Sequence, residues 1–335
     1  MTFKALWITE TPEGKIERSI INRELDDLPP GEVVIRVLYS ALNYKDALSA
    51  TGNKGITRKY PHTPGIDAAG IVELSRSESF VSGDEVLVTG YDLGMNTAGG
   101  FGEYIRIPAA WIVKKPEQYS LRECMVMGTA GFTAASALFK MEMLGQTPDA
   151  GPVVVTGASG GVGSMAVAIL AKAGYEVIAV SGKSNATEYL QFLGAARIEP
   201  RSFADDASGK SLLRPQWAGA IDTVGGNTLL TLLKGCKAEG TVVSTGLAGS
   251  PKLEGANVYP FILNGVSLLG VGSAETPMSN RLAVWDKLAE QWNIKDKLNA
   301  IAKEVSLEEL NSNYIDAILR GKVMGRILVK MCDNK

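Results

Sequence analysis

The chain has 335 residues, more than one hydrophobic core usually organises, so its length predicts two domains. Lys and Arg number 34 against 36 Asp and Glu, and no basic run is long enough to follow a phosphate backbone, so we expect no nucleic-acid partner. A Ser-His-Asp triad or a metal site would have to be built on the single histidine, His62, so we expect no mechanism that depends on histidine. The three cysteines are far apart in sequence and are expected to be free thiols.

Short β-rich runs separated by Pro and Gly clusters fill the first third of the chain. The runs are EVVIRVLYSALNY (32–44), GIVEL (70–74), DEVLVTG (84–90) and EYIRIP (103–108). This pattern is typical of an all-β, barrel-like domain. The start of the chain lacks the apolar stretch of a signal peptide, and no segment has the about 18 continuous apolar residues that span a bilayer. We therefore expect a cytoplasmic protein with no membrane partner.

The pattern changes near residue 120, where Ser120 and Glu123 have the spacing of a capping box and predict the start of a helix. From 152 to 273, apolar strands alternate with helical stretches. The strands are PVVVTG, EVIAVSG, AARIEP, AGAIDTVG, GTVVSTG and GVSLLGVG. Strands that are apolar on both faces and joined by helices predict a parallel, doubly wound sheet.

The last part of the chain predicts two amphipathic helices and a strand. The helices are MSNRLAVWDKLAEQW and SLEELNSNYIDAILRG, and the second has Ser306 and Glu309 as a capping box. The closing strand, GRILVKM, could return to complete the first domain, which would then be discontinuous.

The glycine-rich stretch VTGASGGVG (155–163) follows an apolar strand and opens a helix. A helix start leaves N–H groups unsatisfied and carries a partial positive charge, while glycines let a pyrophosphate approach closely. The spacing G-x-x-G-G-x-G is a variant of the dinucleotide fingerprint rather than its strict form. Because a strand, a helix and a second strand surround it, the turn predicts dinucleotide binding.

The end of the second strand indicates which dinucleotide binds. A site for NAD usually has Asp or Glu at this point, whereas this chain has Ser181, Gly182 and Lys183. A carboxylate about 4 Å from the 2′-phosphate of NADP would repel it by roughly 4 kcal/mol per unit charge, but Lys183 attracts it. NADPH is therefore the predicted cofactor. The alternative is that Lys183 is a solvated turn lysine.

Seven stretches spread along the chain carry a family resemblance. They are SALNYKDALSATG (40–52), PHTPGIDAAG (61–70), GTAGFTA (128–134), VTGASGGVGSMAV (155–167), AGAIDTVGG (218–226), VYPFIL (258–263) and GRILVK (325–330). Together they resemble the medium-chain dehydrogenase/reductase superfamily, in its zinc-independent branch of acrylyl-CoA reductases and quinone-oxidoreductase-like proteins. The resemblance implies an α/β fold in which a Rossmann domain, residues 125–274, is inserted in a GroES-like β-barrel catalytic domain, residues 1–124 and 275–335.

The resemblance also bears on metal binding. In the metal-dependent relatives a Cys opens the stretch that corresponds to NYKD, and Gly-His-Glu stands where this chain has Gly65-Ile66-Asp67. This chain has Asn43 in place of that Cys, and Ile66 cannot ligate a metal. The first cysteine is Cys124, so the four-cysteine structural lobe has no counterpart. We expect no metal, and hydride transfer assisted by hydrogen bonds.

Cofactor contacts implied by the resemblance fall at thirteen positions. They are Tyr44, Ser159, Gly160, Gly161, Val162, Ser181, Gly182, Lys183, Arg201, Leu247, Ile262, Ser273 and Arg326. Arg201 would lie on the adenosine side, and the last four would lie nearer the nicotinamide. The alternatives are that Leu247 and Ile262 are packed residues and that Arg326 pairs with a carboxylate.

The implied reaction is the NADPH-dependent reduction of a small-molecule substrate, a short 2-enoyl thioester, with acryloyl-CoA the expected case. Hydride addition at the β-carbon puts negative charge on the thioester oxygen, so the site needs a donor there and a proton for the α-carbon. Tyr44 is the candidate catalytic residue, with a purely stacking role as the alternative. If the strand continues through this point, Asn43 and Lys45 face away from Tyr44.

Two other functions stay open. One is NADPH:quinone oxidoreduction, which needs no α-protonation. The other is an NADPH-binding sensor or interaction protein without catalysis. In either case, the apolar strand GVSLLGVG resembles the edge strand through which relatives pair, and it predicts a homodimer.

Overall fold

The structure, a computed structural model, describes residues 1–332 and separates into two compact units. The first unit holds residues 1–129, 274–283 and 301 onward, and the second holds Ala130–Ser273 and Val284–Ala300. The sequence assigns all of 275–335 to the first domain, whereas the structure groups 284–300 with the second unit. Trp285 accounts for this difference, because its ring stacks on Phe132 of the second unit at a centroid distance of 6.5 Å. The limits of the two functional domains stay a prediction.

The strands in chain order are β1 (Thr2–Glu10), β2 (Ile16–Glu24), β3 (Val33–Leu42), β4 (Asp67–Ser75), β5 (Glu85–Thr89), β6 (Tyr104–Ile107), β7 (Val113–Lys114), β8 (Val153–Thr156), β9 (Val177–Val180), β10 (Arg197–Glu199), β11 (Trp217–Asp222), β12 (Cys236–Ser244), β13 (Ser267–Gly270), β14 (Ala302–Val305) and β15 (Arg326–Lys330). The α-helices are α1 (Tyr44–Ala50), α2 (Leu121–Met143), α3 (Gly161–Lys172), α4 (Thr187–Leu193), α5 (Gly226–Lys234), α6 (Tyr259–Asn264), α7 (Met278–Ala289), α8 (Lys295–Ile301), α9 (Leu307–Glu309) and α10 (Ile315–Leu319).

The first unit is mostly antiparallel sheet. Strands β1 and β2 form a hairpin, and a larger sheet runs in the order β14, β15, β3, β4, β5, β7, with β6 also paired to β3. Strand β3 is rich in β-branched residues and almost fully buried, as expected for a strand at the centre of a sheet. Strand β15 pairs antiparallel with β3, with Ile327 opposite Leu42, so the last strand does return to the first unit.

The second unit contains one six-stranded sheet in which every pairing is parallel. Its order is β10-β9-β8-β11-β12-β13, so the chain starts at the centre, winds outward one way and then the other. Strands β8 and β9 are wholly buried and apolar apart from Thr156, because helices cover a parallel sheet on both faces. The predicted doubly wound sheet is confirmed, and its strand order is that of a dinucleotide-binding fold.

The predicted strand 32–44 is too long at its end. Strand β3 stops at Leu42, and Asn43 is the N-cap of helix α1, with Asp46 completing a capping box. Tyr44 is therefore the first residue of a helix, and the expectation that strand alternation turns Asn43 and Lys45 away from it is wrong. The capping boxes predicted at Ser120 and Ser306 are both present.

Helix α2 runs from the first unit into the second and bends on the way. Gly128 has φ 46° and ψ −151°, which interrupts the helical geometry within its 23 residues. The helix is long and apolar enough to cross a membrane, but 83% of its most apolar window is buried inside the protein. Burial of this kind is typical of the core helix of a globular domain.

Candidate functional site

The glycine turn of the second unit joins the end of β8 to the start of α3. Gly157 takes the left-handed conformation, φ 57°, which a residue without a side chain adopts at little cost. A Cβ at Gly163 would overlap the carbonyl oxygen of Gly157, so glycine is required for α3 to approach the turn. Gly160 is the N-cap and no side chain caps the helix, which leaves the first N–H groups of α3 available to an anion.

The end of β9 lies beside this turn. Ser181 Oγ donates a hydrogen bond to Ser159 Oγ at 3.0 Å, and the backbone N–H of Lys183 donates to Ser181 Oγ at 3.2 Å. These bonds connect the predicted 2′-phosphate contacts to the predicted pyrophosphate contacts. The two sets of residues are therefore joined through the hydrogen bond between Ser181 and Ser159.

Two cations converge at the end of β9. A Cβ at Gly182 would overlap Arg201 Nε, so the Arg201 side chain lies directly against this glycine. Partial burial, followed by the positive charge of Arg201, lowers the pKa of Lys183. Glu199, two residues before Arg201, is paired with Arg197 at 2.8 Å. A phosphate group would be stabilised by two cations that converge in this way.

Asp222 fixes the point where the strand order reverses. It is fully buried at the end of β11, where it accepts hydrogen bonds from Thr156 Oγ1 and from the backbone N–H of Gly225, the latter at 2.7 Å. Burial raises the pKa of its carboxyl group. Ligands of open parallel sheets bind at this reversal point, outside the carboxyl ends of the strands. Asp222 thus shapes the edge on which the glycine turn lies.

The predicted nicotinamide-side contacts of the second unit lie after β12 and β13. Leu247 is 61% exposed in the loop after β12, and Ile262 is 68% exposed on α6. The alternative that these two are packed core residues is therefore wrong. Ser273 opens a short 3₁₀ turn after β13.

The first unit has a buried polar network around Asp67. Its carboxylate accepts hydrogen bonds from Asn43 Nδ2 at 2.8 Å, from Thr129 Oγ1 at 2.6 Å and from the Thr129 backbone N–H at 2.9 Å. Arg326 Nη2 adds an ion pair at 3.1 Å. A Cβ at Gly128 would crowd both Asp67 Oδ2 and Arg326 Nη2, which explains the glycine at the bend of α2.

Arg326 is the cation that compensates Asp67, and it is only 3% exposed. Its other hydrogen bonds go to the carbonyl oxygens of Leu42 and Val126 and to Asn43 Oδ1. Pairing with a carboxylate is the alternative role predicted for Arg326 from the sequence, and the structure has this pair, with Asp67. Its predicted contact with the cofactor stays a prediction, and most of its guanidinium donors are already in use.

Asp46 is a second buried acid in this network. Its oxygens accept the backbone N–H groups of Asn43 at 2.7 Å and Ile66 at 2.8 Å. Burial, together with the negative charge of Asp67, raises its pKa to about 7. Sequence reasoning assigned neither Asp46 nor Thr129 to the site, although the Asn-x-x-Asp spacing of 43 and 46 is itself a capping signal.

Tyr44 follows directly after this network. It is the first residue of α1 and is 45% exposed, while Asn43 before it and Asp46 after it are held by the buried bonds. The network therefore fixes the backbone that carries the Tyr44 ring. Tyr44 and Arg326 belong to the first unit, and all the other predicted contacts belong to the second.

Comparison with known proteins gives two matching family models. One, described as an alcohol dehydrogenase GroES-like domain, matches residues 29–117, and the other, described as a zinc-binding dehydrogenase, matches residues 161–290. The acrylyl-CoA reductase AcuI of Ruegeria pomeroyi is 44% identical over 98% of this chain and 98% of its own length. The putative quinone oxidoreductase YhfP of Bacillus subtilis is 45% identical over 91% of this chain and 92% of its own length.

Solved structures are similar over the same extent. The yhdH oxidoreductase of Salmonella enterica in complex with NADP has a TM-score of 0.94 and 43% identity, and covers 99% of this chain and 100% of its own. The Bacillus subtilis protein yhfP with NAD bound has a TM-score of 0.95 and 42% identity, and covers 98% of this chain and 99% of its own.

The zinc named by the second family model does not fit the residues of this chain. Within residues 1–332, no three His, Cys, Asp or Glu side chains are grouped so that they could hold a metal ion. Asp67 already accepts bonds from Asn43, Thr129 and the cation of Arg326. The guanidinium of Arg326 therefore already neutralises the Asp67 carboxylate.

Proposed function

The chain belongs to the medium-chain dehydrogenase/reductase superfamily of oxidoreductases, and from that premise we propose that it reduces the 2,3 double bond of a short 2-enoyl thioester with NADPH. Acryloyl-CoA, reduced to propanoyl-CoA, is the proposed substrate. The observation that carries the proposal is the end of β9, where Ser181 is hydrogen-bonded to the glycine turn and the cations of Lys183 and Arg201 converge. The relation to an acrylyl-CoA reductase over nearly the whole chain supports the choice of substrate.

The second unit binds and orients the cofactor in this proposal. NADPH supplies the hydride when bound. The N–H groups at the start of α3 would hold its pyrophosphate, and Lys183 and Arg201 would hold its 2′-phosphate. The hydrogen bond from Thr156 to Asp222 joins the ends of β8 and β11 beside this site. Leu247, Ile262 and Ser273, which follow β12 and β13, would border the nicotinamide.

The first unit supplies Tyr44. Reduction of an enoyl thioester develops negative charge on the thioester oxygen and needs a proton at the α-carbon. The Tyr44 phenol can donate to either atom, and the buried bonds of Asn43 and Asp46 limit where its ring can move. The alternative is that Tyr44 only stacks on its ligand and positions it.

Quinone reduction by NADPH is the second candidate, and the relation to the putative quinone oxidoreductase YhfP favours it. Steady-state rates on acryloyl-CoA, longer enoyl-CoAs and small quinones, each with NADPH and NADH, separate the two. We expect the highest kcat/KM for acryloyl-CoA with NADPH. A preference for quinones would overturn the thioester assignment, and NADPH binding without turnover on any of them would indicate a sensor.

We also propose that the protein is a cytoplasmic homodimer that pairs through β13. This strand is the edge of its sheet, and exposed apolar side chains lie on it and near it in sequence. They include Leu268 at 38% exposure, Val258 at 60% and Leu263 at 62%. An open edge with apolar residues is a liability that a second copy would cover.

A further inference from the structure

A buried arginine outside the site described so far organises one corner of the first unit. Arg281, on the part of α7 that belongs to this unit, is 0% exposed. Its Nη1 donates to the carbonyl oxygen of Thr89 at 2.8 Å and to Thr89 Oγ1 at 2.7 Å. Its Nη2 donates to the carbonyl oxygen of Ala274 at 3.1 Å, and its guanidinium lies 4.5 Å from the centroid of the Tyr91 ring.

Tyr91 is held in an unusual backbone conformation. Its φ is 53°, in the left-handed region that residues other than glycine seldom adopt. Its ring stacks on Trp111 at a centroid distance of 5.4 Å with 3° between the planes, so it contacts both an indole and a guanidinium. Because such strain persists only where the surroundings enforce it, Arg281 and Trp111 define the position of this loop.

Both residues act on Ala274. Tyr91 N–H donates to the carbonyl oxygen of Ala274 at 3.0 Å, and Arg281 donates to the same oxygen. A Cβ at Gly90 would lie 2.7 Å from Ala274 Cα, so the loop backbone packs directly on this residue. Two donors and one close contact therefore fix Ala274.

Ala274 is the residue at which the chain re-enters the first unit after the sheet of the second. It belongs to the 3₁₀ turn Ser273–Glu275, which follows the carboxyl end of β13. In a parallel sheet this is the same edge as the glycine turn after β8, about 14 Å away across three strand spacings. With its 2′-phosphate at the proposed contacts after β9, a bound cofactor would place its nicotinamide half toward β13.

We propose that Arg281, acting through Tyr91 and Ala274, is a positioning residue for the segment that borders the nicotinamide half of the cofactor. This inference rests on the proposed NADPH site. If the inference holds, Arg281 affects binding of the nicotinamide half of the dinucleotide and not binding of the adenosine half. The adenosine half is held by Lys183, Arg201 and the start of α3, none of which belongs to the first unit.

The test compares two ligands on purified full-length variants. Adenosine 2′,5′-bisphosphate probes the adenosine half alone, and NADPH probes the whole site. In Arg281→Lys, which keeps the charge but loses the forked donors, we expect the Kd for NADPH to rise about tenfold or more while the Kd for the bisphosphate stays within about twofold. Tyr91→Gly removes the ring without adding backbone strain. It should also raise the ratio of the NADPH Kd to the bisphosphate Kd, with a smaller loss of Tm than Arg281→Lys.

Arg23→Lys is the matched control. Arg23 is also buried and also lies 4.5 Å over an aromatic ring, that of Trp7, but on the β1–β2 hairpin. The Arg23→Lys substitution should lower Tm and leave the ratio of the NADPH Kd to the bisphosphate Kd unchanged. Equal weakening of both ligands, or no change of either in a folded variant, would overturn the inference; if Arg281→Lys does not fold, Tyr91→Gly decides. A wild-type protein that binds neither ligand would instead overturn the proposed NADPH site.

Discussion

Lys183 is the residue on which the proposed preference for NADPH depends most directly. Its ammonium group and Arg201 converge beside Gly182, and a charge-assisted bond to phosphate contributes about 1.5–3 kcal/mol. Lys183→Ala should therefore lower kcat/KM with NADPH roughly 10- to 100-fold and change kcat/KM with NADH far less. The control is Arg197→Ala, because Arg197 is an exposed cation on β10 that is already paired with Glu199. Equal losses with both cofactors would remove the assignment.

Tyr44→Phe tests the proton donor. The variant keeps the ring at the first position of α1 but removes the hydroxyl group. If the phenol protonates or polarises the thioester, kcat on acryloyl-CoA should fall roughly 100-fold, the lower range for general acid catalysis, while turnover of a quinone should persist. Wild-type kcat on acryloyl-CoA would leave Tyr44 with a stacking role only.

Asp46 predicts a dependence of stability on pH. Its folded-state pKa is about 7, raised by burial first and by Asp67 second, whereas an unfolded Asp has a pKa of about 3.9. Between these two values the folded state holds a proton that the unfolded chain has released. The contribution of Asp46 to stability is thus complete below about pH 4, falls as pH rises, and is lost above about pH 7.

Calorimetric Tm values from pH 5 to 8 test this slope. Asp46→Asn should flatten it, because the side chain no longer titrates. Asp316→Asn should not, since the hydrogen bond from Arg18 lowers the pKa of Asp316 and its effect lies at more acidic pH. A slope that persists in Asp46→Asn would show that another group is responsible.

At the scale of single elements, the contact between α3 and its turn leaves no room for a side chain at Gly163. A Cβ at Gly163 would overlap the backbone of Gly157 and Ala158, which cannot rotate away as a side chain could. Gly163→Ala should destabilise the protein by about 1–3 kcal/mol and weaken NADPH binding by shifting the helix start. Gly270→Ala is the control, because a Cβ there meets nothing within 4 Å. Unchanged denaturant midpoints for both variants would contradict this.

Local sequence signals predicted some elements better than others. The Ser-x-x-Glu boxes at 120 and 306 and the apolar runs of the parallel sheet are strong because each depends on a few neighbouring residues. The Asn43 cap was missed because the β-rich run before it masked the change to a helix. The π-helical turn Leu310–Tyr314 within the predicted last helix, and the burial of Asp67 by Arg326, depend on contacts that local patterns do not contain.

At the scale of the whole molecule, the family resemblance, the GroES-like and Rossmann-like fold and the oxidoreductase class are confirmed. The sequence motifs were enough to predict the family and the fold, because the glycine turn and the end of β9 are each formed by a few consecutive residues. The grouping of 284–300 with the second unit was not predicted, since it depends on Trp285 meeting Phe132, a contact between distant parts of the chain.

The oligomeric state can be tested with one substitution. Leu268→Lys puts a charge on the edge strand β13 and should convert a homodimer into a monomer in light scattering at micromolar concentration. Leu74→Lys is the control, because Leu74 is 59% exposed on β4 of the first unit. A wild-type protein that is already monomeric would contradict the proposed pairing.

Strand β15 and the pairing of Arg326 with Asp67 also bear on how the protein is synthesised. Asp67 is synthesised early, whereas Arg326, the cation that compensates its charge, is synthesised close to the end of translation. While the ribosome is still translating, the first unit lacks both a strand next to β3 and the countercharge for its buried carboxylate. The second unit has its whole sheet by residue 270. We therefore expect the inserted unit to reach its native structure first on the ribosome and the enclosing one only after release.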